Sequence, residues 1–273
     1  MAERFEAIHI GGTMKKYLKV FQLMAISSFQ SFLVSRVGAI LFLLGKILRF
    51  LFFLSFLILL VAKTQILAGY NMWQVILFYL TFNFVDASTQ MLFREVYRFR
   101  QQVITGNFDL ILVKPVSSLF RSLFGWTDLL DLVTLFPFVI AISVVISKIP
   151  DITIGHIFFY IILILNALWI AASFHIFVLG LAILTTEIDH ALMMYRDITS
   201  MGKLPVDIYQ EPLRSFVTFV FPVGIMMTFP AKALLGLLDM PSILAAFLVN
   251  IIIFSLSLSL WRYALRQYTS ASS

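Results

Sequence analysis

The stretch IFFYIILILNALWIAASFHIFVLGLAIL, from Ile157 to Leu184, contains no Asp, Glu, Lys or Arg. A helix needs roughly 20 mostly apolar residues to cross a bilayer, at about 1.5 Å of rise per residue. This run is longer than that and apolar around its whole circumference, which suits lipid or a protein interior. It predicts a membrane-spanning helix and sets the class of the chain.

The rest of the sequence repeats the pattern. Of its 273 residues, 61% are hydrophobic and 12% charged, with no cysteine, and mean hydropathy is +0.98. Soluble domains carry about twice that charge. A soluble enzyme, a disordered tail and a disulfide-stapled module are excluded, and barrel strands alternate too often to produce such runs. The fold class is all-α, a polytopic bundle in the lipid bilayer.

Further spans are read at Val37–Ala62, Trp73–Met91, Leu123–Ile146 and Ile243–Trp261. In the first, the charge-free part, Phe50–Ala62, is too short to cross alone. The helix must include Lys46 and Arg49, which share a face and are expected to snorkel to one headgroup layer. Trp73 suits an interface anchor, and Pro137 predicts a kink in the third span.

Net charge is +6, but the basic residues flank apolar runs, so they report topology rather than nucleic-acid binding. They cluster before the first span, between spans two and three (Arg94, Arg98, Arg100, Lys114, Arg121) and after the last (Arg262, Arg266). All three clusters lie on one side only if an even number of spans separates the termini. Six spans with both termini cytoplasmic follow, in an inner (cytoplasmic) membrane.

The identity of the fifth span stays open on composition. Glu187–Met201 carries Asp189, Arg196 and Asp197, which must then face protein or water. Phe216–Leu238 is apolar but broken by Pro222, Gly224 and Pro230. Residues 13–36, where lysines alternate with Leu18, Phe21, Met24 and Phe32, read as an amphipathic helix lying in the membrane interface.

Chemistry-bearing motifs are scarce. His9, His156, His175 and His190 have no metal-ligand spacing, and there is no phosphate-cradling loop. No catalytic residue, metal site or cofactor is expected. Asp86 falls in the inner half of span two, and Asp128 and Asp131 lie one helical turn apart near the start of span three; they suit a cap, a pair with Arg121, or a polar opening. Glu187 with Asp189 forms a second acidic pair. The segment FREVYRFRQQVITGNFDLILVKPVSSLFRSLFG, residues 93–125, reads as helix, stop at Gly106-Asn107 and new turn at Lys114-Pro115.

Two runs carry a resemblance. GNFDLILVKPVSSLF (106–120) and GKLPVDIYQEPLRSFVTFVFPVGIMMTFPAKALLG (202–236) resemble signatures of the membrane subunits of ATP-binding-cassette exporters of the type-2 permease class. The longer run departs at Gln210-Glu211-Pro212, where the family more often has a proline directly after the tyrosine. The resemblance implies an interfacial helix at 13–36, a fifth span at 187–204 and a re-entrant outer segment at 205–240. That segment would rest on Gly202, Pro205, Asp207, Tyr209, Pro222 and Pro230.

It also implies a coupling segment at 92–121, with Arg98, Gly106, Asp109, Lys114 and Pro115 docking a separate ATPase subunit. The chain would be a non-catalytic half-pathway, paired with a second permease of the same or a sister sequence. A pathway lined by Asp86 and Asp128 would suit cationic or amphipathic cargo. The competing class, an ATP-independent carrier or channel, usually shows internal repeats and paired broken spans, and neither occurs here.

Overall fold

A computed structural model describes residues 14–34, 36–185 and 189–269. Glu187 and the start of the expected fifth span lie outside the described residues, as does position 13. Among the described residues, twelve helices longer than three residues follow one another. They are α1 (Met14–Val34), α2 (Arg36–Thr64), α3 (Met72–Phe93), α4 (Val96–Ile104), α5 (Asn107–Leu112) and α6 (Ser118–Phe124). Then come α7 (Leu129–Ile146), α8 (Ile154–Thr185) and α9 (Asp189–Ser200). The last three are α10 (Leu213–Val220), α11 (Gly224–Leu234) and α12 (Met240–Gln267).

Five helices are long and apolar enough to cross a membrane: α2, α3 running on into α4, α7, α8 and α12. The bent pair α10–α11, with 79° between its arms, is a sixth candidate by composition. Helix α9 has 12 residues, roughly 18 Å, against a hydrocarbon core of about 30 Å.

Local sequence explains where the helices begin. Asn71 and Gln74 cap α3 reciprocally, each side chain bonding the other's backbone N–H. Asp128 caps α7 through the Leu130 N–H and Asp239 caps α12 through the Ser242 N–H. Within the long helices, hydroxyls bond back one turn: Ser143 to Val139, Ser173 to Trp169 and Ser255 to Ile251. A hydroxyl that satisfies itself on its own backbone can sit in an apolar surround without another partner. Helix α7 runs unbroken through Pro137.

Helix α8 is the hub, packed along α12 and against α3, α4 and α11. Gly180 lets the α12 backbone come close, since a Cβ there would meet Leu260 Cγ at 3.1 Å. The buried amides of Asn166 and Asn250 join the same two helices at 2.7 Å, the kind of polar contact that ties helices together where apolar burial offers little drive. Helix α2 is the least embraced, exposing Leu41, Leu44, Leu48, Phe52 and Leu59.

Helix α1 lies along α6: Tyr17 meets Phe120 edge-on at 4.9 Å, Phe21 meets Phe124 at 6.2 Å, and the Lys16 ammonium donates to the Pro115 carbonyl at 2.6 Å. Segment 189–207 is held at both ends. Asp189 pairs with Arg100 at 3.2 Å, and the Tyr70 hydroxyl donates to Asp207 at 2.9 Å. Tyr70 and Arg100 sit at opposite ends of the continuous α3–α4 rod, so residues 189–207 traverse its length.

Candidate functional site

Three arrangements carry polar groups into unusual surroundings: a cavity between α2, α3 and α7, a knot beyond the end of α9, and the helical tip made by α4, α5 and the turn after them.

The cavity holds about 420 Å³. Its walls are mainly apolar, and the polar groups gather on one side: Lys46 and Arg49 from α2, Asn83, Asp86 and Gln90 from α3, and Asp131 and Thr134 from α7. Lys46 does not run outward alone as a snorkelling side chain. Its ammonium is paired to Asp131, whose side chain is fully buried. A buried carboxylate on one helix thus captures the cation of another, which fixes α2 against α7 where their apolar faces barely meet. Asp86 accepts from the Gln90 amide at 2.7 Å, one turn along its own helix.

Asp128 is not among the groups lining this space. It is buried, caps α7 and faces Arg94 at 3.7 Å. Arg121, a potential partner for Asp128 or Asp131, pairs instead with the buried Glu95 at 3.0 Å. Glu95 also accepts from Gln102. Of the two residues expected to line a pathway, Asp86 lines this cavity and Asp128 does not; Asp131 does instead.

The knot gathers the re-entrant motif. Asp207 accepts from Arg214 at 2.6 Å, Lys232 at 2.8 Å and Tyr70 at 2.9 Å. Burial pulls the Asp207 carboxyl upward, yet the Lys232 ammonium, the Tyr70 hydroxyl and Arg214 together hold it below the ordinary carboxylate value. Tyr70 moves the opposite way: burial and the neighbouring carboxylate push its hydroxyl above the ordinary tyrosine value. Tyr209 donates to the Met201 carbonyl at 3.0 Å, and the N–H after Pro205 donates to the buried Thr228 hydroxyl at 3.2 Å. Gly202 has no room for a side chain, because a Cβ would lie 2.7 Å from Met227 Cγ. Pro222 stands in the bend between α10 and α11, and Pro230 lies in the final turns of α11. None of these side chains faces the cavity.

At the tip, Gly106 breaks α4 from α5 with φ +73°, a left-handed conformation that costs a side-chain-bearing residue. Phe99 and Phe108 pack on each other at 5.0 Å and on Trp261 at 6.2 and 6.3 Å, all three fully buried. Phe108 also meets the Tyr268 ring at 5.1 Å. Asp109 accepts from the Tyr268 hydroxyl at 2.9 Å, and burial together with that carboxylate pushes the hydroxyl up to about 12.

Of the five residues that the resemblance points to for docking, one bonds inward and one, Arg98, is exposed against an aromatic ring. Asp109 anchors it to the end of α12, and Arg98 lies over the Trp126 ring at 4.2 Å. Gly106 is the break, the Pro115 carbonyl holds Lys16, and Lys114 is exposed. Among exposed polar groups such as Gln101, Thr105, Asn107 and Lys114, the tip presents three apolar side chains outward, Ile104, Leu110 and Val113, the last two 60% and 69% exposed. Sequence reading passes over these three. Their signal is the 3.6-residue period of α4 and α5, whose other face carries Phe99, Val103, Phe108 and Ile111 inward.

No group of three or more metal-ligating side chains occurs among the described residues. The family of ABC-2 family transporter proteins matches residues 21–272. Neither a curated protein nor a solved structure gives a match.

Proposed function

The chain belongs to the ABC-2 transporter family, and from that membership we propose that it forms half of the pathway for ATP-driven export of a substrate. Membership makes it a multi-pass membrane protein, the non-catalytic permease component of an ABC transporter, and implies association with an ABC ATPase.

The tip at residues 104–116 is the surface that receives the ATPase. The exposed Ile104, Leu110 and Val113 support this, because an apolar patch rimmed by polar residues is the signature of a docking face. The clamp behind it supports it too: force applied at the tip passes through Phe99, Phe108 and Trp261 into α12. ATP-driven closure of the ATPase pair biases two arrangements of the bundle through such differential contact.

In this reading residues 187–204 make the fifth span and bring the crossings to six, supported by the anchoring of 189–207 at Arg100 and Tyr70. Segment 205–240 is re-entrant on the outer side, where its irregular backbone is sheltered by protein. The basic end and both termini face the cytoplasm, and α1 lies in the inner interface of that membrane. The cavity at Asp86 opens onto the path, and Asp128 supports its wall from behind. A second permease, of the same or a sister sequence, supplies the other half.

The single observation that carries the docking assignment is the aromatic-backed tip with Ile104, Leu110 and Val113 exposed on it. Purification of the tagged chain in mild detergent, with an ATPase assay on what accompanies it, tests it. Stoichiometric recovery of an ATP-hydrolysing subunit, lost in a Leu110→Glu/Val113→Glu chain, is expected. A chain recovered alone and indifferent to ATP would return the ATP-independent carrier to first place.

A further inference from the structure

The cavity between α2, α3 and α7 has one apolar flank and one charged flank, and its Arg49 makes no ion pair within 4 Å among the described residues. Ile47 and Leu51 of α2 and Val133 and Pro137 of α7 line it while remaining exposed on the outside of the bundle. The space is therefore reached from the side, between two helices that hold each other through the Lys46–Asp131 pair. A hydrocarbon tail can lie along that flank without leaving an apolar surround.

On the charged flank, Lys46 is spent on Asp131. Asp86 is bonded to Gln90 and lies within Coulombic reach of Arg49, Lys46 and Arg196. Asp128, the remaining acid nearby, faces Arg94. Arg49 reaches no carboxylate within 4 Å among the described residues, and its side chain is exposed towards the cavity. Among its lining the cavity carries two cations, Lys46 and Arg49, and two carboxylates, Asp86 and Asp131, and of these Lys46 and Asp131 are paired with each other. The Arg49 guanidinium is the cation of this wall left to take an anion.

We propose that this cavity binds an amphiphile with an anionic headgroup, a phosphate or carboxylate held by Arg49 while the tail lies between α2 and α7. The planar guanidinium is matched to both anions in a two-pronged geometry that a lysine lacks. Asp86, bonded to Gln90 and within Coulombic reach of Arg49 and Lys46, does not by itself call for a cationic cargo. Acidic residues in a span suggest cationic cargo only while their partners are unseen. The assignment rests on the reading of the cavity as part of the transport path.

Because the chain has no cysteine, a Leu51→Cys chain can carry an environment-sensitive dye at the cavity mouth. The labelled chain, in nanodiscs of zwitterionic lipid and without any ATPase, is titrated with dodecyl phosphate, dodecyltrimethylammonium, a neutral dodecyl maltoside and inorganic phosphate. Dodecyl phosphate is expected to bind at least tenfold more tightly than the cation or the neutral amphiphile, with no response to millimolar inorganic phosphate. Arg49→Ala should abolish that preference, Arg49→Lys should keep part of it, and Arg49→Glu should reverse it towards the cation, each with an unchanged melting transition. Equal affinity for all three amphiphiles, a preference for the cation, an effect of phosphate alone, or indifference to Arg49→Ala would each overturn the proposal. Since no ATPase takes part, an anionic preference in a chain that recruits no ATPase would leave this site standing while the exporter reading fell. A recruited ATPase with no anionic preference would do the reverse.

Discussion

The Tyr268 hydroxyl donates to the Asp109 carboxylate at 2.9 Å, joining positions 159 residues apart. The bond ties the short helix α5, at the far corner of the tip, to the residue that follows the last long helix. Together with the Phe99–Phe108–Trp261 packing, it makes the tip an extension of α12 rather than a loose connector.

Tyr268→Phe removes that bond and keeps the ring against Phe108. Its cost in stability should be about 1 kcal/mol, while Phe108→Ala, which empties a fully buried site, should cost roughly 3–5 kcal/mol. If the clamp transmits motion, Tyr268→Phe lowers transport per ATP hydrolysed more than it lowers the melting temperature. Paired transport and ATPase assays in proteoliposomes check this.

Gly106→Ala should destabilise the tip by about 1 kcal/mol through backbone strain alone, because the added Cβ would touch nothing nearer than an Asp109 oxygen at 3.9 Å. Gly106→Asn, which tolerates the left-handed region better, should fall between the two. Hydrogen exchange over residues 104–112 would register the order Gly, Asn, Ala.

Lys46→Ala strands the fully buried Asp131 and should cost roughly 3 kcal/mol or more, whereas Lys46→Met/Asp131→Leu should come close to the parent chain. Thermal unfolding of the three variants in one detergent compares them. A double variant as unstable as the single one would mean that the pair contributes something its apolar replacement cannot.

The Asp207 knot sets an acid limit. Its carboxyl is held below its ordinary value of 3.8. The stabilisation it contributes is therefore fully present above that value and is lost as pH falls through the lower, folded value. Melting temperature attributable to Asp207, measured against Asp207→Asn, should stay level from pH 7 to about pH 5 and decline below the ordinary carboxylate range. A decline centred near neutrality would contradict the assignment.

The long helices are legible in sequence because length and hydropathy suffice where no tertiary partner is needed to bury a helix. Trp73 even marks where α3 starts. Side-chain pairing is not legible that way. Asp128 and Asp131 are one turn apart and alike in sequence, yet one caps and faces Arg94 while the other captures Lys46 from a helix 85 positions away. Arg121 meets Glu95 rather than either, because the α6–α7 turn carries the aspartates towards α3. Such choices depend on how helices lean on one another. The same holds for the tip: Asp109 looks like a surface charge in sequence and becomes an anchor only once Tyr268 lies behind it.

The exposed side of the tip offers the most direct test of the account. In the cysteine-free chain, a single Val113→Cys is placed at the tip and, as a control, a single Trp169→Cys on the exposed face of α8. Thiol-directed cross-linking in native membranes should join the Val113→Cys chain to an ATP-hydrolysing subunit in a yield that changes with added ATP, and leave the Trp169→Cys chain unjoined to it. No ATPase at Val113, or equal capture from both positions, would contradict the account.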